Sequence, residues 1–281
     1  MHWMLFGFLI FVGTCASLAA IGRWHWTRRS HGLLARLDAS RIPAPTAGFD
    51  PQELDTLPPP VARYLRLVLP AGARIIRAVD LAHEGSFNLS QSGERWRYFN
   101  SRQHVVTRRP GFLWDARISM LPGLPVHVHD AYVDGEGILA PAIGGLIPLG
   151  ALRDRDEVAR GELMRLLAEA AWYPTFLLPG QGLRWEAIDE RNARATLVDG
   201  PLSVTMNFHF DEHSLIETIR TADRGRMVEG KIVPTPWEGR LFNYQRHDGM
   251  LIPVEAEVAW LTKEGRMPYW RGKMLEIAFH Y

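Results

Sequence analysis

Three groupings of residues in this chain have types and spacings that chemistry can use. His127 and His129 lie two apart on a predicted strand, so both imidazoles stand on one face at a spacing a metal ion accepts. Two ligands do not make a site, and nothing in the sequence fixes a third. The pair therefore reads as polar positions on an outward face, and no metal is assigned. Asp130 falls on the opposite face of the same strand, among Val126, Val128 and Tyr132. A carboxylate in that company either hydrogen-bonds to nearby backbone or arginine, or works as an acid. Arg165 and Glu169 lie four apart on a predicted helix and face each other. On a solvated face the pair is worth roughly a few tenths of a kcal/mol. Facing a pocket, it would anchor a polar head group.

Other patterns are excluded. Gly135-x-Gly137-x-x-Ala140 has the outline of a dinucleotide loop. That motif opens a helix after a strand, and Pro141 with Gly144-Gly145 stops a helix here. No Gly-x-Ser-x-Gly elbow, phosphate loop or His-Glu-x-x-His is present, so no catalytic residue and no cofactor is assigned. Lys and Arg number 32 against 31 Asp and Glu, so no global field favours nucleic acid. Cys15 is the only cysteine, which excludes an intrachain disulfide and a Cys-based zinc site. Tryptophan is plentiful: Trp96, Trp114, Trp172, Trp185, Trp237, Trp260 and Trp270 fall on separate predicted elements. Most read as core. A curved sheet lined by them is equally a wall for an acyl chain or another flat apolar ligand.

These residues are positioned by one helix among many strands. Leu163, Leu166, Leu167 and Ala170 make an apolar stripe, and the helix is expected to run through Trp172 until Pro174 stops it. Asp50-Pro51-Gln52-Glu53 has the form of a capped helix start, and Val61, Tyr64, Leu65 and Val68 form a second short amphipathic helix closed by Pro70. From residue 74 the period is two. Roughly ten or more strands with short turns between them predict a mainly antiparallel α+β fold. Its sheet is strongly curved or an incomplete barrel, with the central helix packed in or on it. Residues 141–150 read as an apolar loop that needs cover, lipid or ligand.

Residues 1–21 carry no Asp, Glu, Lys or Arg, and Trp24, Trp26, Arg23, Arg28, Arg29 and Arg36 follow. About 20 such apolar residues span a bilayer. The absence of a basic residue ahead of them favours an uncleaved anchor over a signal peptide. The expected organisation is a transmembrane anchor over 1–22, a basic juxtamembrane segment and linker over 23–48, and one mainly β domain over 49–281. The arginines place the domain on the cytoplasmic side of the cell membrane.

The chain also resembles a family of uncharacterised bacterial membrane-anchored proteins, a domain of unknown function. The likeness is carried by Pro60-Val61-Ala62-Arg63-Tyr64-Leu65 with Leu69-Pro70, and by Gly111-Phe112-Leu113-Trp114. It continues through Asp130-Ala131 with Gly135 and Gly137, then Arg165 to Glu169 with Trp172-Tyr173-Pro174-Thr175. Pro236-Trp237, Tyr244, Pro253 and Trp260 complete it. The resemblance implies no activity. In shape it implies the open half-barrel of lipoprotein carriers, a curved sheet wrapping helices around an apolar cavity. The leading expectation is a lipid or other apolar ligand in a concave sheet, with Trp114, Trp172 and Trp237 as wall and Asp130, Arg165 and Glu169 as polar contacts. The alternatives are a hydrolase acting on lipid-like substrates and a non-catalytic membrane scaffold.

Overall fold

The period-two alternation after residue 77 becomes one continuous sheet in the computed structural model, which describes residues 2–40, 42, 48–90, 93–121 and 123–281. The Pro/Ala-rich stretch at 42–48 lies almost wholly outside the described residues. Seven strands precede the central helix: β1 (Ala78–Asn88), β2 (Trp96–Val106), β3 (Gly111–Leu121), β4 (Leu124–Val133), β5 (Glu136–Ile143), β6 (Ile147–Pro148) and β7 (Leu152–Asp154). Seven follow it: β8 (Leu183–Ala187), β9 (Asn192–Asp199), β10 (Leu202–Phe210), β11 (Ile216–Val228), β12 (Lys231–His247), β13 (Met250–Thr262) and β14 (Gly265–His280). The order is β6-β5-β4-β3-β2-β1-β14-β13-β12-β11-β10-β9-β8, with β7 also on β5, and neighbouring strands among the described residues run antiparallel. The two meanders join where β1 meets β14, Val79 opposite Phe279 and Phe87 opposite Trp270. The sheet curls into a half-barrel.

Three α-helices serve this sheet: α1 (His2–Ala39), α2 (Pro59–Val68) and α3 (Glu157–Ala168). α3 lies in the concave face and touches β3, β4, β5 and β7 on one limb and β10 and β11 on the other. Gly137 permits this: a Cβ there would lie 2.3 Å from the Ala159 backbone nitrogen. Gly135 and Asp134 both have positive φ, so the glycine pair is a hairpin turn and a helix-packing point, not a ligand loop. The α-helix ends a turn earlier than the sequence suggests. After Ala168 the chain tightens into 3₁₀ turns at Glu169–Trp172 and Pro174–Leu177, with Tyr173 between them at φ −135°. Pro174 keeps Tyr173 out of the helical region, as expected, and the turn before it is already 3₁₀.

α2 and those 3₁₀ turns close one end of the half-barrel. The Tyr64 ring packs tilted against Phe210 with centroids 5.7 Å apart, and Val61, Leu65, Val68, Phe176 and Leu177 are fully buried with Ile252. Asp50 forms the expected capping box, accepting from the Gln52 amide at 2.9 Å, but it caps a 3₁₀ turn, Pro51–Thr56. Residues 141–150 are not a loop. β5 runs through Ile143 and β6 pairs Ile147 with it, so the apolar content is partly strand.

α1 does not stop where the apolar run stops. It continues unbroken to Ala39, so the arginine-bearing stretch is helix, and its second half lies on the convex face over β2, β3 and β4. Trp26, Leu33 and Leu37 are buried there, the leucines with Leu113, Ala131, Val133 and Ile138. His127 and His129 are therefore not on an open outward face. His129 lies under α1, stacked on Trp26 at 3.8 Å and 2.8 Å from the Ser30 hydroxyl. Asp115 completes the clamp, accepting from Trp26 Nε1 at 2.8 Å and Ser30 Oγ at 2.7 Å. Burial would raise its carboxyl, but His129, then Trp26 and Ser30, hold it below the ordinary value.

Candidate functional site

The concave face between α3 and the sheet encloses a cavity of about 610 Å³. Its size lies within the ~300–1,000 Å³ usual for small-molecule sites. Period two delivers the wall: Trp114 and Ile118 from β3, Val126, Val128 and Asp130 from β4, Trp237 from β12, Val258 and Trp260 from β13, and Trp270 from β14. α3 supplies Glu162, Arg165 and Ala168, and the 3₁₀ turn supplies Glu169 and Trp172. Thus Trp114, Asp130, Arg165, Glu169, Trp172 and Trp237 all line one space, although they come from four separate stretches of chain.

The polar side of the cavity is a closed knot. Arg165 Nε donates to Glu169 at 2.7 Å, Nη1 to Asp130, and Nη2 to Gln103 at 3.4 Å. Gln103 Nε2 donates in turn to Glu169 at 2.6 Å. The guanidinium also lies 4.9 Å from the Phe112 ring and 5.0 Å from the Trp114 ring. Burial alone would lower the Arg165 pKa, but Glu169, Asp130 and Glu162 together raise it. The Arg165–Glu169 pair is not a surface bridge, since the two side chains are only 16% and 13% exposed.

Three participants were missed from the sequence. Glu162 is buried against Asp130; burial first, and Asp130's charge second, push its carboxyl well above the ordinary range. Glu162 Oε2 and Asp130 Oδ1 are both buried without a donor. A proton on Glu162 supplies that donor and leaves one charge, not two, between them. Arg224 lies 5.4 Å over the Trp237 ring and donates to the Gly161 carbonyl at 2.7 Å. His83 is 2% exposed, its ring 4.8 Å from that of Trp172, with no partner on either nitrogen. Burial, and secondarily Arg165, push it down to about 3, so it is neutral. Signals for two of these existed. Glu162, Arg165 and Glu169 recur at helical spacing, and His83 interrupts the apolar alternation of β1.

The charges of Arg224 and Arg165 oppose the rise at Glu162, so two guanidinium groups stand near the three carboxyl groups Asp130, Glu162 and Glu169. The Trp114 and Trp172 indole N–H groups are buried without an acceptor, whereas Trp237 donates to the Tyr269 hydroxyl at 2.9 Å. Among the described residues no three His, Cys, Asp or Glu side chains gather where a metal would bind.

Glu162→Gln keeps a donor toward Asp130 and has no proton to lose. A raised carboxyl contributes stability that is complete below its unfolded value near ~4.3 and is lost as pH rises through its folded value. Relative to Glu162→Gln, the wild-type denaturant midpoint is expected to fall as pH rises above ~4.3. Parallel curves would show that Glu162 is ionised in the folded protein.

Fold and cavity define a half-barrel protein with an apolar interior closed on one side by an internal ion knot. The chain belongs to a family of unknown function, DUF6920, whose model matches residues 55–279. No curated relative matches it. Among solved structures it is similar to a domain assigned to outer membrane lipoprotein sorting from Vibrio parahaemolyticus, at 10% identity and TM-score 0.39, covering 72% of this chain and 85% of that one. It is similar to a DUF1329 family protein from Desulfovibrio piger, at 10% identity and TM-score 0.40, covering 82% and 94%. A LolA superfamily protein from Nitrosomonas europaea matches at 10% identity and TM-score 0.33, covering 79% and 92%.

Proposed function

We propose that this protein is a single-pass membrane-anchored binder that holds a lipid or other apolar ligand in the half-barrel cavity. One observation carries the reading: the cavity is walled by tryptophan and aliphatic side chains, while Arg165, Asp130 and Glu169 on its polar side are paired with one another. Apolar surface is thus offered to the ligand, at roughly 25 cal/mol per Å² removed from water. Trp114, Trp172 and Trp237 serve as wall. Arg165, Asp130 and Glu169 set the polar limit of the site. Because Arg165 is already shared by Asp130 and Glu169, that limit favours an uncharged polar group over a free carboxylate or phosphate.

The anchor is α1. It is the one helix among the described residues long and apolar enough to cross a membrane, with mean hydropathy 2.2 in its most apolar window. Arg23, Arg28, Arg29 and Arg36 follow the apolar run, and the positive-inside bias assigns the domain over 49–281 to the cytoplasmic side of the inner membrane.

The test fills the cavity. Val126 and Val258 are half-buried on separate limbs of the sheet, and both line it. Val126→Trp and Val258→Trp are each expected to lower binding of a fluorescent long-chain acyl ester at least tenfold, or by ~1.4 kcal/mol, with unfolding midpoints near wild type. Equal binding by the wild type and both variants would remove the cavity from the account. A second reading, a hydrolase on lipid-like substrates, draws on the Asp130–Glu162 pair, in which one carboxyl holds a proton beside an ionised one. Release of the acyl acid from the same ester would favour it.

A further inference from the structure

The strand register gathers several connections at one end of the half-barrel. Asn88 pairs with Trp96, Leu121 with Leu124, Ile143 with Ile147, Val228 with Lys231, and Thr262 with Gly265. The cavity reaches this end, where Leu89, Met120, Leu149, Met227, Ile232 and Pro268 line it. The opposite end is closed by α2 and the 3₁₀ turns. The open end is also apolar on its outside: Ile147 is 61% exposed, Leu149 52% and Leu124 44%.

α1 leaves the domain at the same end. Gly22 is pressed on the turn between β5 and β6, where a Cβ at Gly22 would lie 2.2 Å from the Gly144 carbonyl oxygen. Beyond that contact, residues 2–21 are exposed. The helix is unbroken across this point and is clamped by Trp26, Ser30, Leu33 and Leu37, so the apolar segment is a rigid extension of the domain. Trp3 and Trp24 bracket it. At ~1.5 Å per residue they are ~32 Å apart, close to the ~30 Å of a bilayer's hydrocarbon core. Interfacial tryptophans at both limits put Trp24 at the headgroup level, two residues from the Gly22–Gly144 contact.

We propose that the open rim of the half-barrel, through Leu124, Ile147 and Leu149, rests on the same bilayer that holds residues 2–21, so the cavity opens onto the lipid surface. The occupant of the apolar rim is then the membrane itself. Seating those side chains at the headgroup boundary removes their apolar area from water. A ligand would pass between bilayer and cavity without crossing bulk water. The docking needs no ligand; the exchange rests on the binding reading above.

The test uses the full chain with Cys15→Ser, reconstituted in phosphatidylcholine–phosphatidylglycerol vesicles. Single cysteines carrying an environment-sensitive fluorophore are placed by Ile147→Cys, Leu149→Cys, Trp24→Cys and His213→Cys. His213 lies in the turn between β10 and β11, at the closed end. Lipids bearing a spin label near the headgroup are expected to quench most of the emission at 24, 147 and 149 and none at 213. Quenching at 24 without quenching at 147 or 149 would overturn the proposal, because the rim would stand clear of the membrane. Absence of quenching at 24 would overturn it through the anchor. Neither result touches cavity binding, which the Val126→Trp and Val258→Trp measurements read separately.

Discussion

Replacing Arg165 with Met is expected to destabilise the protein by ~3–5 kcal/mol, the range for breaking a buried ion pair from one side. The guanidinium is shared by Glu169 and Asp130 and rests against Phe112 and Trp114. Methionine fills much of the same volume and keeps the apolar contacts. What is lost is the compensation of two carboxylates whose side chains are 13% and 17% exposed. They must then take up protons or draw in water. Adding Glu169→Gln and Asp130→Asn to Arg165→Met removes both orphaned charges and is expected to recover a large part of the loss. Urea unfolding followed by tryptophan fluorescence reads all three proteins. A loss under ~1 kcal/mol for Arg165→Met, the size of an exposed pair, would mean that water solvates the knot.

Acid is expected to unfold the protein earlier than its carboxylates alone would require, because of His83. Its pKa falls from near 6.5 in the unfolded chain to about 3 when buried. The sign follows. Neutral His83 contributes stability that is full above the unfolded value and is lost as pH falls toward the folded one. Each pH unit in that interval costs up to ~1.4 kcal/mol. Asp80, Asp115, Glu238 and Glu257 have lowered values and add to the acid loss, but only below the ordinary carboxylate range near ~4. Over the interval from ~6.5 to ~4.5 Glu162 acts in the opposite sense and His127, also lowered by burial, in the same sense. His83 is therefore read as the difference between wild type and His83→Phe, which keeps an aromatic ring against Trp172 and is expected to lose stability less steeply as pH falls. Parallel wild-type and His83→Phe curves over that interval would show that His83 finds a proton acceptor or solvent in the fold.

The concave face was legible in the sequence because strand period two is rigid. Trp114 with Ile118, and Asp130 with Val126 and Val128, share a face in the sequence and in the sheet. The helix stripe ending in Trp172 also pointed inward. Arg165 and Glu169 were found as a pair, but their burial was not readable, because an i, i+4 spacing is the same on any helix face. Glu162 was passed over because carboxylates on helices are mostly solvated. Its burial, and then the proximity of Asp130, 32 positions back in the chain, give it a reason to keep a proton. The convex face was misread for a related reason. His127 and His129 alternate like solvated residues, and nothing local announces that Trp26 and Ser30 cover them. The docking of α1 depends on Gly22 and Gly144, which meet only in three dimensions.

The central claim is that the cavity holds an apolar ligand, and native mass spectrometry of the full chain released from micelles tests it most directly. Wild type, Val126→Trp and Val258→Trp are compared side by side. Lipids around α1 bind all three alike; a cavity ligand does not. The account predicts a reproducible adduct on the wild type, of a mass found among extracted lipids, that is absent from both filled variants and vanishes on denaturation. Adducts identical in all three proteins would contradict it, and would leave the half-barrel as a scaffold held at the membrane by α1.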